Sequence, residues 1–275
     1  MSVQNFIPTV WAARIQRDLE ARYVYANFVN RDYEGDISGF GDTVKINTVG
    51  DVTVDDYVKN STEISPEELT STQQTLDIDQ SKYFAFYIDD VDNAQTQPKL
   101  MDEGIRKASR GLAKVTDDFV RDTMVAGAGI SGTDLDTAIG LNDVPEWMGR
   151  VNQLLDEEDN DEDEGRFIIV PPWLKKLIVI SFQGNTESAE VQANGRVGRY
   201  WGIDVHMSNR VSTSEYDSQI IAGTTRGMTM AEQIVQTEAY RPESSFSDAV
   251  KGLHVYGGRV VTPNALLLAE TREAE

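Results

Sequence analysis

Two runs of strand-forming sequence, separated by a segment with almost nothing to bury, set the strongest limit on how this chain can fold. From Asp42 to Val58, β-branched and polar residues alternate around Gly50, and Leu76 to Asp89 alternates again. Successive side chains on a strand point to opposite faces, so each run offers one apolar face. Between them, Lys59 to Thr75 is rich in Ser, Thr, Glu and Gln. A compact domain seldom holds so long a polar connection between paired strands, and the pattern predicts a long projecting hairpin. A plain surface loop is the competing reading.

Past Pro98, the residues Met101, Ile105, Ala108, Leu112, Val115 and Phe119 step by four and three, with no breaker until Gly127 and Gly129. That spacing predicts one helix from Pro98 to Ala126, about 43 Å long at 1.5 Å per residue. Gly104 and Gly111 each cost it about 1 kcal/mol of propensity, so packing must hold it straight. A coiled coil is poorly supported, because the pattern lacks a repeated charge code beside its apolar seam. Nearer the start, Trp11, Ile15, Leu19 and Tyr23 recur every four positions after Pro8. They mark the apolar stripe of a helix of about five turns. From Met1 to Arg31 the arginines Arg14, Arg17, Arg22 and Arg31 face only Asp18 and Glu20 in number. Such a segment is either an arm seeking an acidic neighbour or an ordinary surface helix, and charge alone does not separate the two.

The rest of the chain mixes both periods. Ile139 to Leu155 reads as helix, and Asp156 to Glu164 then places eight carboxylates in nine positions, which predicts an exposed, hydrated turn. Phe167 to Val170 reads as a buried strand, and Pro172 starts a short helix carrying Trp173, Leu174, Leu177 and Ile178. Strands are expected at Ile203–Met207, Gln219–Ala222, Met228–Ala239, Leu253–Val261 and Ala265–Ala269. The fold class is therefore α+β, and no period of a solenoid or propeller repeats.

Charge and motifs narrow the function. Lys plus Arg total 25 against 46 Asp plus Glu, a net charge of -21 that disfavours adhesion to phosphate backbones and sequence-specific nucleic-acid binding. There is no cysteine, hence no disulfide or thiolate metal site. The opening residues lack a basic segment followed by an apolar one, and Pro171, Pro172, Lys175 and Lys176 split the aliphatic runs around Ile169 and Ile178, so neither export nor membrane spanning is indicated. Gly127, Gly129 and Gly132 satisfy GxGxxG spacing, but a helix precedes them where a dinucleotide fingerprint needs a strand. They are expected to end the helix through left-handed backbone angles. Asp159, Asp161 and Asp163 imitate half a calcium loop, yet the glycine falls late at Gly165 and Val170 holds the last ligand position. His206 and His254 are the only histidines, each expected on a strand with its ring satisfied, and no nucleophile elbow, zinc helix or phosphate loop occurs. No catalytic residue, metal ligand or cofactor is predicted.

The order of elements, a basic arm, a long hairpin, a long helix, a mixed domain and returning strands, resembles a tailed-bacteriophage major capsid protein of the Hong Kong 97-type fold. The wording is also similar to the coat-protein branch without an inserted domain. The stretches that carry it are NFIPTVWAARIQRDLEARYVYANFVNRDYEG, GDTVKINTVGDVTVDDY, PEELTSTQQTLDIDQSKYFAFYIDDVDNAQ and GLHVYGGRVVTPNAL.

The resemblance implies an N-terminal arm (residues 1–41), an extended loop (42–88), a spine helix of a peripheral domain (89–128), an axial domain (129–226) and a return to the peripheral domain (227–275). It implies a structural, non-enzymatic subunit that self-assembles through pentamers and hexamers into an icosahedral head around double-stranded DNA, inside the host bacterial cytoplasm. A separate scaffolding protein and a portal protein are implied partners, and a decoration protein is compatible with it. Arg14, Arg17, Arg22, Lys59, Glu63, Glu67 and Glu68 are the candidate assembly residues. Some relatives cross-link subunits through a lysine and an asparagine; Lys59 lies where such a lysine would, but no motif fixes its partner, and cross-linking is not expected. The alternatives are an acidic calcium-dependent surface-layer or adhesion module and an enzyme with an unrecognised carboxylate site.

Overall fold

A computed structural model of the chain describes residues 15, 17–19, 22–32, 41, 43–49, 56, 59, 71–89, 100–158, 160, 165–182, 198–215, 217–240 and 247–274. The alternating run from Asp42 forms β1 (Thr43–Val49), which pairs antiparallel with β2 (Ser71–Asp77) from Thr43↔Asp77 to Val49↔Ser71. This corrects the predicted hairpin in one respect. Its second strand begins at Ser71, inside the expected polar connection, and the apolar run beyond it breaks at Ile78 and Asp79 to start a separate strand, β3 (Gln80–Asp89). β3 turns away to pair with β12 (Ser247–Val260), which in turn pairs with β11 (Met228–Tyr240), giving a three-stranded antiparallel sheet. One alternating run therefore serves two sheets, which alternation alone cannot reveal.

The long helix α1 runs Leu100–Gly127 and crosses one face of that sheet. Ile105, Leu112, Val120 and Met124 are buried there with Met228, Met230 and Tyr256, and Phe119 meets Tyr256 edge-on at 5.3 Å. Gly104 and Gly111, both in the interior of α1, differ. A Cβ on Gly104 would lie 2.7 Å from the Phe86 ring, so the sheet requires that glycine, whereas Gly111 faces open space. The glycines that end and follow α1 work otherwise than expected. Gly127, Gly129 and Gly132 are absent from the left-handed region; each is needed because Val260, Pro263 and Leu268 respectively approach to within 2.5–2.7 Å of where a Cβ would sit.

The opposite face of the three-stranded sheet carries the foot of the hairpin. Val44, Ile46, Leu76 and Ile78 bury against Ala231 and Val255. Because neighbouring positions on a strand face opposite ways, Met230 and Tyr256 reach α1 while Ala231 and Val255 reach the hairpin.

A larger, mixed sheet of eight strands follows the path β4 (Ile130–Ser131), β13 (Leu266–Glu273), β10 (Asp217–Gly223), β6 (Phe167–Val170), β8 (Ile203–Met207), β7 (Arg199–Tyr200), with β5 (Ala138–Ile139) on β13 and β9 (Ser212–Ser214) on β10. β6 is buried at every residue because its faces serve two cores. Ile168 and Val170 pack with Trp147, Met148, Val151 and Leu174 of α2 (Val144–Glu157) and α3 (Pro172–Phe182), while Phe167 and Ile169 join the α1 core. Helix α2 starts at Val144, not Ile139, which instead extends β5. The expected boundary at residue 227 does not separate the sheets: β13, expected with the returning peripheral segment, lies inside the larger one between β10 and β4.

Two further expectations change. The N-terminal stripe is not one continuous helix, since helical residues at Ile15 and Arg17–Leu19 give way to a turn at Arg22 and a 3-10 turn at Tyr25–Phe28; Trp11 lies outside the described residues. The eight-carboxylate segment is anchored where it is described: Asp156 and Glu157 end α2, and Asn160 is buried beside Arg166. Arg166 is only 1% exposed; it donates to Asn152 Oδ1 at 2.7 Å and to the Asn160 carbonyl, and pairs with Asp156 at 2.6 Å. A buried guanidinium needs such acceptors, and here the acidic segment supplies part of them.

Candidate assembly surfaces

Ile15, Leu19, Tyr23, Tyr25, Ala26 and Val29 are all buried in the core that α1 builds. The described residues from Ile15 to Arg31 therefore form a strap fastened to their own subunit, which is neither a free arm nor a plain surface helix. Phe28 stacks on Phe167 at 4.5 Å between ring centres and sits equally close to His206, and the Asn30 N–H donates to the Met228 carbonyl at 2.8 Å. His206 lies on β8 as expected, and burial pushes its pKa down, favouring the neutral ring.

Two carboxylates fasten the strap. Asp117 on α1 is 4% exposed and accepts the backbone N–H groups of Val24 at 2.9 Å and Ala26 at 3.1 Å. Burial raises its pKa, and those N–H groups oppose the rise. Glu232 on β11 accepts from the Tyr23 hydroxyl at 2.5 Å and from Arg31 at 2.8 Å, and His254 Nε2 lies 3.1 Å from the same carboxylate. Burial by itself would raise the Glu232 pKa, but the hydrogen bonds and positive charges of His254 and Arg31, with the Tyr23 hydroxyl, hold it below the ordinary value. The acidic neighbour of Arg31 is thus in its own chain. His254 is only partly satisfied, because its Nδ1 is buried without a hydrogen-bond partner.

Three of the predicted assembly residues are described. Arg17 is exposed on the helical turn, Arg22 is half-buried beside α1, and Lys59 is exposed in a turn. Arg14, Glu63, Glu67 and Glu68 lie outside the described residues. Sequence reasoning missed Asp117 and Glu232, since one sits among the charges of an amphipathic helix and the other in a strand, and neither belongs to a motif.

A second surface is aromatic. β3 alternates Phe84 and Phe86 towards α1 with Tyr83, Ala85 and Tyr87 outward, and the two tyrosines are 79% and 70% exposed. β3 is also an outer strand of its sheet. Among the described residues no group of acidic and histidine side chains is arranged to hold a metal ion, and no described helix is long and apolar enough to cross a membrane.

A hairpin footed on one face of a three-stranded sheet, a 28-residue helix across the other face and a separate mixed sheet define the Hong Kong 97-type capsid architecture. Residues 72–269 match the family model described as phage capsid protein, and the chain belongs to that family. It is a major capsid protein of the tailed-phage type, a structural component of an icosahedral virion shell and not an enzyme.

A solved structure from Mycobacterium phage Che8 is similar, at 29% identity over 90% of both chains with a TM-score of 0.71. The capsid of Cyanophage P-SCSP1u shares the fold at 15% identity, covering 92% of this chain and 89% of that one, with a TM-score of 0.68. So does the mature capsid of bacteriophage PhiM1, at 14% identity, 92% and 88% coverage and a TM-score of 0.62. Among curated proteins, none matches the chain significantly by sequence. Family membership displaces the surface-layer and enzyme alternatives.

Proposed function

We propose that each subunit holds its N-terminal strap at home and lends the loop beyond β1 and β2 to an adjacent copy, so that cohesion of the shell is shared laterally among pentamers and hexamers. The observation that carries this reading is the small foot of the hairpin. Among the described residues of β1, β2 and their flank, only Val44, Ile46, Leu76 and Ile78 are buried against the rest of the subunit, although more than twenty residues separate Val49 from Ser71. Burying an apolar side chain contributes roughly 1.5–3 kcal/mol, so four of them fix the root without accounting for the stretch beyond it.

In this reading residues 1–41 are the arm, 42–88 the extended loop, 89–128 the spine helix, 129–226 the axial domain and 227–275 the return, with β13 completing the axial sheet. Assembly proceeds in the host cytoplasm with a separate scaffolding protein and a portal protein, and an outer decoration protein is compatible with it. A net charge of -21 suits a container, because a wall that on average repels phosphate lets packaged DNA spool without sticking. Negative-stain microscopy of the purified full chain, with and without the scaffolding protein of its phage, tests the proposal. Closed shells are expected; a monodisperse small oligomer under both conditions would contradict it.

A further inference from the structure

We propose that Trp201 is a knob by which one copy of this chain docks into a cavity on a second copy, edge to edge between their mixed sheets. The proposal rests on membership of a shell-forming family and is independent of where the loop between Val49 and Ser71 lands. The chain turns from β7 into β8 through Trp201 and Gly202, a two-residue hairpin turn closed by the pair Tyr200↔Ile203. Tyr200 packs against the core of the mixed sheet, whereas Trp201 beside it is 57% exposed.

The backbone is strained where it presents that indole. Trp201 has a φ of +50° and Gly202 one of +80°, both in the left-handed region. A tight turn between twisted strands calls for positive φ at its two central residues, which glycine, asparagine or aspartate meets with least strain. A bulky side chain in that conformation is an outlier, and such outliers cluster at functional sites. Among the described residues no aromatic ring or cation packs on the Trp201 ring to offset the strain. Strain and exposure thus coincide in the residue type most enriched among interface anchors.

A receiving site lies at the other edge of the same sheet. β7 ends the sheet on one side, and β4 and β5, which pair with β13, end it on the other. Between β5, the 3-10 turn at Thr133–Leu135 and α2 lies a cavity of about 690 Å3, ample for an aromatic side chain. Its apolar wall is Leu135, Ile139 and Trp147, and the Trp147 ring is fixed by the N–H it donates to the Leu135 carbonyl at 3.2 Å. Its rim sets Asp134, Asp143 and Glu146 against Arg150, which Asp134 already holds at 2.9 Å. The knob carries the opposite sign: Arg199 precedes it, 58% exposed and 3.4 Å from Asp204, a surface pair that contributes little and leaves the guanidinium free to turn. Five strand spacings, roughly 24 Å, lie between β7 and β4, so the hairpin does not reach the cavity of its own subunit. Two different, complementary patches at opposite edges make a head-to-tail contact, the kind that closes rings of subunits.

The chain has no cysteine, so the contact is open to covalent capture in the full-length protein, co-expressed with the other head proteins of its phage. R199C/E146C keeps the tryptophan, and mild oxidation of its shells is expected to give a ladder of disulfide-linked multimers on denaturing gels, which neither R199C nor E146C gives alone. Linked dimers from R199C alone would mean that two hairpins meet each other, and they would overturn the cavity as the receiving site, as would the lack of a ladder from the double variant. W201G relieves the left-handed strain, so its unassembled subunit should unfold at the wild-type temperature or above it while shell yield falls by about tenfold or more. Normal yield would overturn the knob; a lower unfolding temperature would make Trp201 a residue of its own subunit's fold and overturn it equally. A138W, which fills the cavity from an exposed position, is expected to match that loss of yield, and normal yield would overturn the cavity. Failure of the wild type to form shells would instead sink the capsid reading on which the proposal rests.

Discussion

Tyr23 and Glu232 lie 209 residues apart in sequence and 2.5 Å apart in space, with the tyrosine hydroxyl donating to the carboxylate. The bond joins the N-terminal strap to the sheet that also carries the hairpin. Arg31 and His254 converge on the same carboxylate, and the Arg31 guanidinium also lies 5.4 Å from the centre of the Tyr23 ring.

Glu232→Gln should therefore destabilise the subunit by roughly 2–4 kcal/mol, because it leaves Arg31 and His254 without their acceptor charge in a largely buried site. The folded pKa of Glu232 lies below its ordinary 4.5. The stabilisation from its ionised form is thus complete above that value and is lost as pH falls through the folded pKa. Urea titrations between pH 3 and 7 should show the wild type losing stability over that acidic range, with the variant losing less.

Gly104 and Gly111 of α1 should respond oppositely to alanine. Gly104→Ala meets the Phe86 ring and should cost about 1–3 kcal/mol, whereas Gly111→Ala meets nothing and should gain about 0.5–1 kcal/mol from helix propensity alone. Thermal unfolding of both variants checks the pair. A gain at position 104 would contradict the packing of α1 on β3.

Arg166→Ala should destabilise by about 2–4 kcal/mol, since it removes the buried donor for Asn152 and the Asn160 carbonyl. Asp156→Ala should cost under about 1 kcal/mol, because its side chain is 53% exposed and salt already screens it. Equal losses would contradict the view that Arg166, and not the acidic run, organises this corner.

The long helix and the strands of the second half were legible because each has a sustained period and a hydrophobic face. What escaped was any feature set by long-range partners. The run Leu76–Asp89 divides between two sheets because Gly257 of β12 lets the chain at Asp77 and Ile78 pass directly over it, and nothing local marks that crossing. Gly127, Gly129 and Gly132 suggest, in sequence, a helix end with left-handed backbone angles, whereas close packing against the chain from Val260 to Leu268 explains them. The stripe Ile15–Leu19–Tyr23 was legible as apolar, but not its cover: Asp117 and Glu232, which decide that the strap folds onto its own subunit, carry no sequence signature.

Charge reversal of Arg14, Arg17 and Arg22 to Glu should lower shell yield when the three are combined. Arg17 is exposed and Arg22 is half-buried beside α1, and among the described residues neither pairs with a carboxylate of its own subunit. Electrophoresis of sedimented shells against soluble subunit measures the effect, and unchanged yield would remove the strap from the assembly surface.

The most direct measurement is an electron cryomicroscopy reconstruction of the assembled shell at a resolution that traces side chains. The account predicts that the chain between Val49 and Ser71 of each copy lies on an adjacent copy, while Tyr23 still meets Glu232 within one subunit. Finding that stretch folded back onto its own three-stranded sheet, with no contact to a neighbour, would contradict it.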